Sequence, residues 1–297
     1  MVEASMTHVL TLVAARDAVS LTTALIDRVR DITGGGTVTV LSPKEAVDIA
    51  CAVAPDLNRI RESLDGALID AIATPAEGRR KCVLIADMDS TIITGETLDE
   101  LAAHAGLGET IAAITARAVN GELDFKDALR ERVRMLKGLS VDALERTWRG
   151  LRLTPGALEL VATMKAHGAY TALVSGGFTF FTSRVAALAG FDIHRSNALL
   201  DDGTTLTGQV AEPILDRSAK LATLRELTLE RGLPFSAALA TGDGANDLDM
   251  LLAAGLGVAF HAKPIVAAAA QARVDHANLR ALLFAQGYPA GAFTSVH

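Results

Sequence analysis

Four short apolar runs limit what this chain can become. They span residues 82–86, 170–174, 237–241 and 256–260, and stretches of helical spacing separate them. Each is too short for a stable helix and too evenly apolar for a strand with one wet face. Such runs alternating with helices predict a parallel sheet covered on both sides, an α/β core. In open sheets of this kind ligands bind beyond the carboxyl ends of the strands, so the residues that follow each run matter most. The composition agrees: half of the chain is apolar but only 4% is aromatic, a mixture that suits helices packed on a sheet.

At 297 residues the chain has room for about two domains. Residues 7–79 read as a separate α+β unit, with strand-like runs at 9–13 and 37–41 and helical spacing at 22–32. Gly34-Gly35-Gly36 breaks the chain between them. The polar segment 75–81 reads as a linker. Between the first two core runs lies a long insert, residues 94–153, with amphipathic helical patterns and no convincing strand. Placed directly after the first strand, it is positioned to act as a lid. The expected division is therefore 1–79, a core of 80–93 with 154–297, and a helical cap of 94–153.

Several function classes are excluded. A net charge of −7 argues against a nucleic-acid or anionic-membrane surface, so an anionic substrate would need a local positive site. Cys51 and Cys82 form neither a metal-ligand spacing nor a disulfide framework, which fits a reducing cytosol. Glu3 and the lack of a basic flank argue against a signal peptide. The longest apolar stretch, 250–260, is interrupted by Gly255 and Gly257 and is too short to span a bilayer. A cytoplasmic protein without nucleic-acid or membrane partners is expected.

The chemistry gathers where the runs stop. Asp87-Met88-Asp89-Ser90-Thr91 follows the first, and Asp87 and Asp89 fall on one side if the segment stays extended. Two carboxylates that close repel unless a cation or a shared proton intervenes, and Mg²⁺ prefers such oxygen ligands. Solvated acids in an ordinary turn are the alternative. After the second run, Ser175-Gly176-Gly177 would let backbone N–H groups approach a ligand, though a tight turn has the same composition. Lys220 opens a helical segment, with Asp216 or Ser218 as caps; a lone lysine there is usually just solvated. Gly242-Asp243-Gly244-Ala245-Asn246-Asp247 follows the third run, and turn chemistry alone does not explain its two glycines and two acids. Loops at one sheet edge converge, which strengthens each of these readings.

Two insert residues add to this. On a helix starting at Phe125, residues Phe125, Ala128, Leu129, Val133 and Leu136 form an apolar face with Arg132 in its middle, while Arg130 and Arg134 point away. A guanidinium on a buried stripe needs an anion, either an internal acid or a substrate carboxylate held bidentately. Glu96 precedes a candidate capping box, Thr97-Leu98-Asp99-Glu100, and reads as a helix-dipole acid or, opposite Arg132, as the holder of an ammonium. Together the pair would describe an amino acid zwitterion.

These four loops, in order, resemble the signatures of the haloacid-dehalogenase superfamily of phosphotransferases. Within it the chain is most similar to the phosphoserine phosphatases, on the strength of Glu96, the stretch from Phe125 to Val133, Val174-Ser175-Gly176-Gly177-Phe178 and Ala262-Lys263-Pro264. The resemblance covers about residues 82–288, and residues 1–79 more distantly resemble an ACT-type regulatory or dimerising domain. It implies a Rossmann-like core and hydrolysis of O-phospho-serine to serine and phosphate, the last step of serine biosynthesis. Asp87 would be the nucleophile, since a carboxylate needs no base to activate it for attack on phosphorus. Asp89 would be the acid and base, and Lys220, Ser175, Gly176 and Asn246 would contact the phosphate or substrate. Mg²⁺ would be held by Asp87, the Asp89 backbone carbonyl and Asp243, with Asp247 orienting the metal site. Two other readings stay open: the same chemistry on another small phosphate ester such as phosphohomoserine, and a ligand sensor with an inert core.

Overall fold

A computed structural model describes residues 6–119 and 123–295, so Glu3 and residues 120–122 of the insert lie outside the described residues. The first unit is an antiparallel sheet of four strands in the order β2-β3-β1-β4. Its elements are β1 (His8–Ala14), α1 (Thr23–Ile32), β2 (Val38–Ser42), β3 (Ala46–Cys51), α2 (Leu57–Ser63) and β4 (Ile69–Pro75). The period-2 alternation of β1 sends Leu10, Leu12 and Ala14 toward Val29 of α1 and Ile60 of α2, while Val13 joins the core of the second unit. The sheet is thus buried on both faces, by its own helices and by the rest of the chain.

The core sheet has six strands in the order β12-β11-β10-β5-β6-β7, every neighbouring pair parallel. They are β5 (Val83–Ala86), β6 (Tyr170–Phe178), β7 (Ile193–Asn197), β10 (Ala238–Gly242), β11 (Leu256–Phe260) and β12 (Ala272–Val274). A separate hairpin, β8 (Leu199–Asp201) with β9 (Leu206–Val210), follows β7. Helices cover both faces as the apolar runs predict. Leu84 and Ala86 of β5 pack with α7 (Ala157–Ala166), α8 (Thr179–Ala189) and α12 (Ala281–Ala285). Val83 and Ile85 pack with α9 (Arg217–Glu230), α10 (Leu248–Ala253) and α11 (Pro264–Ala269).

The insert is helical: α3 (Thr97–His104), α4 (Gly108–Val119), α5 (Phe125–Met135) and α6 (Asp142–Gly150). Its two stems lie side by side, with Ile93 bridged to Leu153 and the Thr94 and Thr154 N–H groups donating to Arg152 and Ile92. Two ion pairs, Lys126–Asp216 at 3.0 Å and Arg130–Glu212 at 2.7 Å, hold α5 against the core. Gly208 of the hairpin, at φ +76, packs against Lys137 just beyond α5. The candidate capping box does not form. Glu96 occupies the N-cap without a side-chain cap bond, and the Thr97 N–H that Glu100 would accept in the box is taken by Asp89.

Among the described residues no helix is long and apolar enough to cross a membrane.

Candidate active site

Asp87 leaves β5 with its N–H donating to the Thr241 carbonyl of β10, which ties the two central strands where they end. The loop is not the extended segment that alternation assumes. Residues Met88–Ile92 form an irregular helical turn, with Asp89 back in the extended region and Ser90 at φ 53. Asp87 and Asp89 line one cavity because the turn brings Asp89 back toward the strand end. Asp87 caps the turn by accepting the Met88 N–H at 2.8 Å.

The other loops arrive from neighbouring strands. Strand β6 runs on through the glycines to Phe178, so Ser175 is buried within the strand. Its hydroxyl donates to Asp89 Oδ2 at 3.1 Å and accepts the Gly177 N–H at 2.8 Å. A Cβ on Gly177 would lie 3.0 Å from both the Asp89 and Ser175 oxygens, a contact only glycine avoids. The Gly176 carbonyl is pinned by the Asn197 amide at 2.9 Å. Asp216 caps α9 through the Ser218 N–H, which sets Lys220 on the buried side of the first turn. Lys220 Nζ lies 2.8 Å from Asp87 and 2.5 Å from Asp247. Burial alone would lower its pKa, but the charges of Asp247 and Asp87 outweigh that and hold the ammonium charged.

Asp243, just beyond β10, accepts the Thr91 hydroxyl at 3.4 Å. Oxygens of Asp87, Asp243 and Asp247 lie within 4.8 Å of one another. Their negative charge exceeds what Lys220 supplies. Burial, then the charges of Asp87 and Glu96, push Asp243 up to about 6, and burial and Asp87 likewise raise Asp247. Buried oxygen donors with excess charge fit a hard divalent cation. Asp247 stands in this group but is already engaged on both oxygens, by Lys220 and by the Gly244 N–H at 3.0 Å. Asp89 behaves differently. Burial, reinforced by Glu96, pushes it up to about 7, near the working range of a general acid–base group.

The insert closes the far side. A cavity of about 140 Å³ is lined by Asp87, Asp89, Ser175, Gly176, Asp243 and Asn246 from the core and by Glu96, Phe125, Leu129 and Arg132 from the insert. Arg132 lies beside buried Leu129 and Val133, while Arg130 faces away to Glu212, as the helical wheel requires. Arg132 donates to the Ala128 carbonyl and the Thr115 hydroxyl, both at 3.2 Å, and forms no ion pair among the described residues. The nearest acidic influences on it among the described residues are the charges of Asp99 and Glu96, which favour its charged form against burial. Glu96 accepts the Ser90 hydroxyl at 2.7 Å, and burial raises its pKa.

Thr91, Thr97, Phe125 and Lys263 also stand at the site without having been assigned a role from sequence. For Lys263 the signal was available, since it follows the fourth apolar run as the other loops follow theirs.

Residues 84–252 match the haloacid dehalogenase-like hydrolase family. The chain belongs to that family.

This hydrolase is 40% identical over 234 residues to a phosphoserine phosphatase of Archaeoglobus fulgidus, a match covering 78% of this chain and 68% of that one. It is 42% identical over 222 residues to a phosphoserine phosphatase of Streptomyces coelicolor, covering 75% of this chain but 54% of that protein. The match thus spans only about half the length of the second relative. A crystal structure of a probable phosphoserine phosphatase from Vibrio cholerae superposes with a TM-score of 0.78 at 32% identity, over 97% of this chain and 88% of that one.

Proposed function

We propose that this chain hydrolyses O-phospho-serine through an aspartyl-phosphate on Asp87. The observation that carries the substrate is the placing of Arg132 and Glu96 on the cavity that holds Asp87. The Arg132 guanidinium, which forms no ion pair among the described residues, would take the substrate carboxylate, and Glu96 its ammonium. A carboxylate of Asp87 attacks phosphorus and the ester P–O bond breaks. The departing serine oxygen takes its proton from Asp89. Asp89, now ionised, removes a proton from water as that water attacks phosphorus, the P–O bond to Asp87 breaks, and phosphate leaves. Ser175, the Gly176 N–H and Asn246 would orient the phosphoryl oxygens, and Lys220 would share their charge with Asp87. Mg²⁺, held by Asp87, Asp243 and the Asp89 carbonyl, would supply further charge neutralisation when bound. Asp247 would steady Lys220 and the metal loop from behind.

Phosphate release from O-phospho-serine in Mg²⁺ and in EDTA tests this directly. Release only in Mg²⁺ is expected. Equal release in EDTA would remove the metal, and none in either condition would remove the substrate.

Truncating Arg132 to Ala is expected to cost about 2–4 kcal/mol in transition-state binding of O-phospho-serine, about 30- to 1000-fold in kcat/KM. Phosphoethanolamine, which lacks the carboxylate, should lose far less. Equal losses on both esters would refute the carboxylate clamp.

We further propose that the first unit is an assembly or regulatory module. Asp70 of β4 docks it on the core by accepting the N–H groups of Asp275, His276 and Ala277 at 2.8, 3.2 and 2.7 Å.

A further inference from the structure

The cavity is crowded with negative charge, and that sets a problem for an anionic substrate. Asp87, Asp89, Glu96 and Asp243 line it, and Asp247 lies directly behind. Lys220 cannot draw a phosphate in from solution. It is buried beneath the acids, with its ammonium divided between Asp87 and Asp247. Arg132 belongs to the insert on the opposite wall, where its guanidinium is held by the Ala128 carbonyl and Thr115.

Lys263 is placed differently. It follows β11, is exposed, and lines the same cavity. Its backbone is fixed: the Lys263 N–H donates to the Asp243 carbonyl at 3.1 Å, and Pro264 starts α11 immediately after it. Its root is therefore tied to the loop that carries the metal-binding acids. Its ammonium forms no ion pair among the described residues, yet its charge reaches Glu96 and Asp243, opposing the rise that burial causes in both.

We propose that Lys263 is the capture residue for phosphate monoester dianions. It supplies positive potential at the mouth, offsets the acids that the dianion must pass, and hands the phosphate on to the buried Lys220. This rests on the phosphatase reading above and adds a residue that acts at the binding stage and not in the chemistry. An exposed cation of this kind acts over roughly a Debye length, about 8 Å at physiological salt, so its contribution should fade as salt rises.

The test compares the parent chain with Lys263→Met and Lys263→Arg, with Mg²⁺, on O-phospho-serine and p-nitrophenyl phosphate at low and high ionic strength. Lys263→Met should lower kcat/KM on both esters about 10-fold at low salt, while kcat stays within about 2-fold. The gap should narrow at high salt, and Lys263→Arg should restore most of it. Binding of inorganic phosphate, read by calorimetry, should weaken in parallel and keeps the test valid even where turnover is absent. An unchanged kcat/KM and phosphate affinity, a loss independent of salt, or a loss confined to kcat would overturn the proposal. Hydrolysis of p-nitrophenyl phosphate without hydrolysis of O-phospho-serine would defeat the substrate assignment but leave the Lys263 comparison intact.

Discussion

Asp87→Asn is expected to lower phosphate release by about 10⁴-fold or more while leaving the protein folded. An amide nitrogen or carbonyl at this position is too poor a nucleophile to form the acyl phosphate. The fold should tolerate the change. The carbonyl oxygen can still cap the turn at the Met88 N–H, and Lys220 keeps Asp247 as its partner. Asp87 raises the proton affinity of both Asp243 and Asp247, so removing its charge relieves repulsion in the cluster. Thermal unfolding of the metal-free variant should therefore occur at the same temperature as the parent or above it. Turnover within about 10-fold of the parent would place the nucleophile elsewhere.

Asp89→Asn should cost about 10²- to 10⁴-fold on O-phospho-serine, the usual range for a lost general acid–base group. The pattern across leaving groups is the sharper readout. Serine leaves as a strongly basic alkoxide and needs a proton, whereas p-nitrophenolate does not. The first step should then survive on p-nitrophenyl phosphate and the second should stall, giving a burst of nitrophenol and a trapped phospho-enzyme. Because burial holds Asp89 at about 7, both protonation states it needs are populated near neutrality. A variant with equal losses on both esters and no burst would show that Asp89 does not carry the proton.

The core was readable from sequence because its central strands are buried on both faces and so are uniformly apolar. Strands without that property escaped. β7, with His194, Arg195 and Ser196, is an edge strand whose polar side chains look like loop, and β12 is only three residues long. In the first unit β3 hides Asp48 inside an ion pair with Arg79, so a charge in mid-strand masks the alternation. The site followed the same logic. Residues at the ends of apolar runs could be placed, and Arg132 could be placed from its helical face. The turn at Met88–Ile92 could not, because it depends on Ser90 in a left-handed conformation that nothing local announces. The capping box failed because Asp89, eight residues upstream, claims the Thr97 N–H that the Glu100 side chain would accept in the box.

The stems of the insert carry one more consequence. Residues 92–94 and 152–154 run side by side and are joined by their own hydrogen bonds, so the chain enters and leaves the insert at one point. To the sheet, everything between them is a closed excursion that leaves strand register untouched. A helical segment of different length or composition could be spliced between the same stems without moving Asp87, Ser175, Lys220 or Asp243. On the reading proposed above, substrate choice and phosphoryl chemistry would be separable in heredity, with Arg132 and Glu96 inside the excursion and Asp87, Ser175, Lys220 and Asp243 outside it. Grafting another enzyme's insert at these stems, and measuring which phosphate esters the chimera hydrolyses, would test that separation.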